Sequence, residues 1–317
     1  MPPRSTANHL SYDLRPAKQT ERMIIVDVLK SASDIGLPIR NYRYLGMGAN
    51  RFYDFVLMHK YVGIKDMVSL EHDPKMYERA KFNVPFGFID VQNKNVSTFV
   101  AADAYVQPTV AWLDYDGGVG PHIVRDITDI GVKTKVGDFL FLTVYGGPPR
   151  VLQEKNQEER LAWLQDNMGA VAGDVVFDDV ENASFPDAVI KILRSALRNA
   201  FAARRDGYFS ILMQVEYSDS SPMVTIGGAF LANGQAAPLK DKMKLHLPFL
   251  RPEQDKTYQI RSLHLTEREK ALFDRATTKK KTSSERKTAR ALGFRDKDFQ
   301  AYEDLIRFLP RYVEAIV

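Results

Sequence analysis

No cysteine occurs among the 317 residues, which excludes disulfide bonds, thiolate metal ligands and cysteine nucleophiles. The six histidines are scattered without the spacing of a ligand pair, so we expect no structural zinc site. No hydrophobic run reaches the roughly 18 residues that span a bilayer. The N-terminal residues also lack the apolar stretch of a secretory signal. These absences predict a cytoplasmic protein that does not bind a membrane.

A strong excess of either charge is also missing. The 44 Lys and Arg against 40 Asp and Glu leave a net charge of +4, which does not by itself indicate a nucleic-acid partner. Apolar residues, in contrast, make up 44% of the chain, and 18 Phe and 14 Tyr supply bulk for a core. The length corresponds to two domains, or to one α/β domain with an appendage.

The order of strand and helix patterns predicts an α/β fold with a mostly parallel sheet. The nearly all-apolar run 138–144 is typical of a strand buried on both faces of such a sheet. The predicted strands are 42–45, 66–70, 88–91, 110–113, 138–144, 208–217 and 223–231, and the last two form an antiparallel hairpin. We therefore divide the chain into an N-terminal helical segment, a Rossmann-like domain and a basic helical C-terminal extension, at 1–40, 41–250 and 251–317.

A glycine-containing segment, residues 44–50, follows the first predicted strand. Gly46 and Gly48 lack a Cβ, so backbone can approach a ligand closely there, although an ordinary tight turn has the same pattern. Glu71 ends the second strand, where a carboxylate can accept hydrogen bonds from both ribose hydroxyls. We predict a nucleoside cofactor site formed by Tyr44, Gly46, Gly48, Ala49, Asn50 and Glu71, with His72 and Asn95 near the adenine. Asp73 and Pro74 form a good helix start instead.

These features together resemble the class I S-adenosylmethionine-dependent methyltransferases. That family has seven strands with the last inserted antiparallel, an acidic-x-Gly-x-Gly turn after strand one, and an acidic residue ending strand two. Gly46, Gly48 and Glu71 match, whereas Tyr44 stands at the acidic position that contacts the methionine amino group. The resemblance implies S-adenosylmethionine as cofactor. An NAD-binding Rossmann domain would require a third glycine at position 51, which is Arg51.

The end of strand four carries the residues nearest the transferred methyl group in that family, and here it reads Asp114-Tyr115-Asp116-Gly117. We expect these residues to form a loop in which Asp114, Tyr115 and Asp116 are catalytic. A carboxylate there can accept a proton from the methyl acceptor, or the pair can hold a divalent cation. Turn formation by the two aspartates is the structural alternative.

Two basic stretches are candidates for substrate contacts. Residues 279–290 contain six bases and a single acid, a composition that suits either phosphate binding or a flexible solvated loop. Arg15, Lys18 and Arg22 lie at helical spacing before strand one, where they form either an anion-binding face or a solvated one. The predicted substrate contacts are Arg15, Lys18, Lys280 and Arg286.

A narrower resemblance involves residues 14–22, 52–55 and 112–116. They are similar to a group of prokaryotic O-methyltransferase-like proteins, some of which are linked to antiviral defence. The basic C-terminal stretch, and the similarity of Asp114-Tyr115-Asp116 to the motifs of base-modifying methyltransferases, predict a methyltransferase that modifies a base or ribose of a nucleic acid. A small-molecule O-methyltransferase with metal-assisted deprotonation is one alternative. The other is a non-catalytic nucleotide sensor of a defence system, which Tyr44 in place of the acid favours.

Overall fold

The computed structural model describes residues 15–48, 50–101, 107–250, 256–263, 265–277 and 279–309. Ala49, predicted as part of the cofactor loop, lies outside the described residues. Within the described ranges, strands and helices alternate from α1 to the hairpin near residue 220, and short helices follow. The alternation is the one expected from the sequence.

One sheet contains all eight strands of the described ranges. The strands are β1 (Arg43–Gly46), β2 (Asp66–Leu70), β3 (Ile89–Gln92), β4 (Thr109–Gly118), β5 (Phe139–Tyr145), β6 (Tyr208–Ser218), β7 (Pro222–Leu231) and β8 (Tyr258–Ile260). Their order across the sheet is β3-β2-β1-β4-β5-β7-β6-β8. Strand β7 is antiparallel to β5 and β6, and every other pair is parallel. The prediction of a mostly parallel sheet with a late antiparallel hairpin is confirmed.

The number of strands corrects the sequence-based expectation of seven. The additional strand β8 pairs in parallel with β6, from Val215 opposite Tyr258 to Tyr217 opposite Ile260. Three residues are too few to display a period of two, so this strand has no sequence signature. Its pairing extends the sheet towards the C-terminal helices.

The helices follow local signals in the sequence. They are α1 (Pro16–Asp34), α2 (Tyr53–Leu57), α3 (Pro74–Phe82), α4 (Val96–Ala101), α5 (Pro121–Lys133), α6 (Gln157–Met168), α7 (Phe185–Phe201), α8 (Ala236–His246), α9 (Glu267–Ala276), α10 (Ser284–Ala291) and α11 (Asp296–Leu305). The Asp73 side chain caps α3 by accepting from the amides of Lys75 and Met76, as the Asp-Pro pair predicts.

Two apolar layers cover the faces of the sheet. On one face, Leu29 of α1 and Leu239 of α8 are buried in one cluster with Phe141 of β5. On the other face, Ile127 of α5 and Leu193 of α7 belong to a second cluster. The predicted N-terminal segment therefore contributes to the same core as the sheet, since α1 supplies much of the first layer.

The last three helices have a small core of their own. Phe273 of α9 stacks on Phe299 of α11 at 4.5 Å between ring centroids, and Tyr302 packs at their edge. Leu305 and Phe308 continue into the first apolar layer of the sheet. None of the described helices combines the length and apolar character that a membrane crossing needs.

The sheet order creates a crevice at one edge. Strand β1 has β2 on one side and β4 on the other, so the chain order reverses between β1 and β4. In open α/β sheets, ligands bind outside the carboxyl ends of the strands at such a switch point. The ends of β1, β2 and β4, where the predicted site residues lie, meet at this edge.

Candidate active site

The turn after β1 packs so closely that it requires glycine. A Cβ on Gly48 would lie 2.6 Å from the ring of Phe52 and 2.9 Å from that of Phe55. Phe52 itself has a φ of 52°, the only positive φ of a non-glycine residue among those described. The Gly48 amide donates to Ser69 Oγ of β2 over 3.1 Å. The packing of these two rings therefore explains why residue 48 is glycine. The hydrogen bond to Ser69 holds the loop against β2.

Asn50 is the clearest sign of a ligand in this loop. Its side chain is 7% exposed, and neither Oδ1 nor Nδ2 has a hydrogen-bond partner among the described residues. Buried amides are nearly always paired, because an unsatisfied group costs about 1–3 kcal/mol. A bound molecule with a donor and an acceptor would satisfy this amide. The residues present therefore fit a polar cofactor beside the glycine loop.

Glu71 ends β2 at the same edge. Its Oε1 accepts the Asp73 amide over 3.1 Å, and its backbone carbonyl accepts from Asn93 Nδ2 over 2.8 Å. Asp73, rather than Glu71, caps α3. The neighbouring His72 side chain is 81% exposed. Glu71 is thus held in place at the crevice. It is not needed to cap α3, because Asp73 accepts the first backbone amides of that helix.

Asn95 lies beyond β3, where it caps α4. Its Oδ1 accepts the backbone amide of Thr98 over 2.7 Å. The side-chain carbonyl of Asn95 is therefore used for a structural role, the alternative to an adenine contact.

The end of β4 corrects the expected conformation of the acidic residues. Asp114, Tyr115 and Asp116 continue the strand to Gly118 and do not form a loop. Pairing with β5 passes through an irregularity between Asp114 and Gly118, which allows the strand to extend beyond its apolar part. The Asp114 side chain lies against α1 on one face of the sheet, and Tyr115 lies against α5 on the other. Tyr115 donates to Oδ2 of Asp126 on α5 over 2.8 Å.

Asp114 forms an ion pair with α1. Lys18 Nζ lies 2.7 Å from Oδ2 of Asp114 and 2.9 Å from Oε2 of Glu21. Glu21 is fully buried and accepts from Thr143 Oγ1 over 2.8 Å and from Tyr217 Oη over 3.1 Å. The sequence reasoning missed Glu21, since a lone acid inside an amphipathic helix has no distinguishing pattern.

The solvated face considered for the first basic stretch is wrong. Lys18 and Arg22 are only 4% and 5% exposed. Arg22 lies over the ring of Tyr53, 5.4 Å from its centroid, and Lys18 lies over that of Trp112 at 5.1 Å. Arg15, just before α1, is partly buried. These cations face the crevice because α1 packs directly on the sheet.

Tyr44 occupies the position at which the resemblance led us to expect an acid. Its ring is fully buried, and its hydroxyl donates to Oδ2 of Asp54 over 2.5 Å. Burial raises the pKa of the Tyr44 hydroxyl well above its usual value, and the Asp54 carboxylate adds to that effect. Burial also raises the pKa of Asp54, whereas the Tyr44 hydrogen bond and the Arg22 charge oppose that rise. Sequence reasoning also missed Asp54 as part of the site.

The C-terminal bases lie around a cavity of about 850 Å³ between β8, the segment before α10, and α11. Lys280 is exposed on its wall. Arg286 is 6% exposed, pairs with Glu303 and lies 4.6 Å over Phe299. Arg286 therefore helps hold α10 on α11, whereas Lys280 faces solvent. Across the described ranges, no three His, Asp or Glu side chains converge to form a metal site.

The strand order, the late hairpin, and a glycine loop followed by an acid just after β2 are those of a Rossmann-like, class I methyltransferase. The enzyme transfers methyl groups and uses S-adenosylmethionine as its cofactor. The chain belongs to the family described as "Putative O-methyltransferase", whose model matches residues 10–317. No curated protein matches the sequence.

Several solved structures are similar to this chain at low identity. Trm1 from Pyrococcus horikoshii, in complex with S-adenosyl-L-methionine, is 10% identical with a TM-score of 0.43, covering 72% of this chain and 58% of that one. The plantazolicin methyltransferase BpumL with SAH is 8% identical with a TM-score of 0.43, covering 69% and 88%. Fibrillarin in a complex with Nop5p is 12% identical with a TM-score of 0.38, covering 64% and 80%.

Proposed function

We propose that this methyltransferase modifies a nucleic acid, at a base or a ribose. The observation that carries the proposal is the basic wall of the C-terminal cavity. Its lining contains seven Lys and Arg and three Asp and Glu: Lys256, Arg261, Lys279, Lys280, Lys281, Arg286 and Lys297 against Asp296, Glu303 and Asp304. Surfaces of this kind neutralise backbone phosphates independently of sequence.

The lysines best placed to contact phosphates lie on the solvent-facing wall of the cavity. Arg286 and Lys279 are paired with Glu303 and Glu285. Lys280 and Lys281 are exposed, and among the described residues neither has a carboxylate within ion-pair distance. We take these two neighbouring lysines as the main phosphate contacts, with Lys256, Arg261 and Lys297 as further cations of the lining.

The cavity is linked to the crevice through β8. Because β8 runs parallel to β6, its carboxyl end lies at the same edge of the sheet as the ends of β1 and β4. Ile260 pairs with Tyr217, whose hydroxyl donates to Glu21, and Glu21 shares Lys18 with Asp114. A strand of nucleic acid bound along the lysines would thus extend towards Asp114.

The cofactor site in this proposal consists of the glycine loop, the Asn50 amide and Glu71. Glu71 would accept the ribose hydroxyls and Asn50 would pair with polar groups of the nucleoside. When bound, S-adenosylmethionine supplies an electrophilic methyl group on a sulfonium. His72 and Asn95 are peripheral in this proposal, since the first is exposed and the second caps α4.

The acceptor end of the site is assigned to Asp114 and Asp116 at the carboxyl end of β4. An acceptor N–H or O–H would have to lose its proton on methylation, so the site needs a base beside the acceptor. Asp116, which is exposed, would take that proton. Asp114, held by Lys18, would orient the acceptor. Tyr115 would support the strand from the opposite face.

The test is binding and methylation of RNA and DNA by a Lys280→Ala/Lys281→Ala variant. We expect nucleic-acid affinity to fall about three- to tenfold and the salt slope to drop by about 1–2. Lys65→Ala, at an exposed lysine just before β2 on the opposite edge of the sheet, is the control. Unchanged nucleic-acid affinity in the double variant would refute the C-terminal cavity as the phosphate-binding surface. Methylation that needs Mg²⁺ and ignores nucleic acid would support a small-molecule acceptor instead.

A further inference from the structure

An acid on the next helix, Asp54, lies close to Tyr44 and Gly46. A Cβ built on Gly46 would lie 3.0 Å from Tyr44 Oη and 3.1 Å from Asp54 Oδ2. The carboxylate of Asp54, in the first turn of α2, thus lies directly against the end of β1. It reaches the switch point between β1 and β4 from the helix side rather than from the strand.

We propose that Asp54 is the anionic contact for the ammonium group of the cofactor's methionine portion. Tyr44 acts as a positioning residue, since its hydroxyl donates to Asp54 Oδ2 and fixes the carboxylate at the glycine turn. This assignment rests on the S-adenosylmethionine site and does not depend on the methyl acceptor. It can therefore fail while the nucleic-acid proposal holds, and the nucleic-acid proposal can fail while this assignment holds.

The charges around the crevice support this assignment. Lys18 serves two carboxylates, Glu21 and Asp114, at 2.9 and 2.7 Å. Among the described residues, by contrast, no Lys or Arg nitrogen forms an ion pair with Asp54. Arg22 acts on Asp54 only as a neighbouring charge. Asp54 is therefore the carboxylate of this group that lacks a cation, and an ammonium placed against it would supply one.

Partial burial of Asp54 strengthens its interaction with a cation. Asp54 is partly buried beside the fully buried Tyr44, and a carboxylate that is shielded from water without a cation is costly. A hydrogen bond between an ammonium and a carboxylate is stronger than a neutral one. Cofactor binding and the charge on Asp54 should thus reinforce each other.

The experiment compares two ligands by calorimetric titration. S-Adenosylhomocysteine carries the ammonium, whereas 5′-methylthioadenosine has the same nucleoside and thioether without the amino-acid end. We expect Asp54→Asn to weaken S-adenosylhomocysteine binding about ten- to a hundredfold. Binding of 5′-methylthioadenosine should change by less than about twofold, since it makes no contact through an ammonium. Tyr44→Phe should give a smaller loss with the same selectivity.

Asp54→Asn keeps the shape of the side chain and an oxygen that can accept from Tyr44, so folding should be retained, and thermal unfolding checks this. Asp241→Asn, at an exposed aspartate of α8, is the matched control and should bind both ligands normally. Equal weakening of both ligands, or no change in either, would overturn the proposal. Loss confined to S-adenosylhomocysteine would support it.

Discussion

Lys18 Nζ lies 2.7 Å from Asp114 Oδ2, which ties the first turn of α1 to the carboxyl end of β4. The same ammonium is 2.9 Å from the fully buried Glu21. The exposed side-chain fractions of Lys18 and Asp114 are 5% and 26%, so the pair is largely shielded from solvent. Helix α1 therefore both covers the sheet and holds Asp114, the carboxylate proposed to orient the methyl acceptor.

Replacing the lysine of this pair should destabilise the protein strongly. Lys18→Met leaves Glu21 and Asp114 without their cation in a shielded site, and we expect the free energy of unfolding to fall by about 3–5 kcal/mol. Urea unfolding measures the change. Lys30→Met is the control, because the Lys30 side chain is 45% exposed and lies 3.9 Å from Asp27, which keeps its pair with Arg307, so the loss should be less than about 1 kcal/mol. Equal effects of the two variants would contradict the role of the Lys18 pair.

Asn50→Ala should raise the stability of the ligand-free protein and lower its affinity for the cofactor. Since its buried amide has no partner among the described residues, its removal should raise the free energy of unfolding of the ligand-free protein by about 1–3 kcal/mol. The affinity for S-adenosylhomocysteine should fall about tenfold because the ligand loses the amide. Differential scanning fluorimetry and calorimetric titration give the two readouts. A variant that is less stable and binds normally would show that the amide has a structural role instead.

Gly48→Ala should damage the loop through packing alone. The added Cβ would lie 2.6 Å from the Phe52 ring, so the loop or the ring must move, at a cost of about 1–3 kcal/mol. Chemical unfolding measures the loss. Gly87→Ala is the control, since no atom lies within 4 Å of its added Cβ. Its stability should be unchanged or slightly higher, and similar losses in both variants would count against the packing argument.

The buried Asp138 should make stability depend on pH. Burial raises its pKa to about 6 in the folded protein, against the usual value of 3.8, despite hydrogen bonds from the amides of Thr109 and Lys135. The folded state therefore holds a proton that the unfolded state releases between about pH 4 and 6. Ionising the group in the folded state costs free energy, so its contribution to stability falls as pH rises through that window, by about 3 kcal/mol in total.

Urea unfolding at pH 4.5 and pH 7.5 tests this dependence. The wild type should lose more stability than Asp138→Asn on going to the higher pH, because the amide cannot ionise. Asp241→Asn is the control and should follow the wild type. Parallel pH profiles for the wild type and Asp138→Asn would rule out Asp138 as the source.

Much of the fold was predictable because its signals are local. The apolar run in β5, the hairpin of β6 and β7, and the Asp-Pro start of α3 each identify an element within a few residues. Strand β8 has no such signal, since three residues gain their structure only from the neighbouring β6. The extension of β4 to Gly118 likewise depends on its pairing with β5.

The candidate site was predictable only in part, for the same reason. The glycine turn and Glu71 have characteristic positions relative to predicted strands. Lys18 and Glu21, in contrast, meet β4 only because α1 lies on the sheet, and that contact joins residues far apart in the chain. The expectation of a solvated basic face failed because charge pattern alone does not reveal which face is covered.

Residue periodicity and glycine geometry were enough to identify the class of fold, the loop after β1 and the acid that follows β2. The contact between Tyr44 and Asp54, in contrast, has no signal in the sequence. The Tyr44 hydroxyl and the Asp54 carboxylate meet because the Phe52 turn brings α2 back over the end of β1. The physical reason is that burial and ion pairing depend on packing between elements, which no local pattern records.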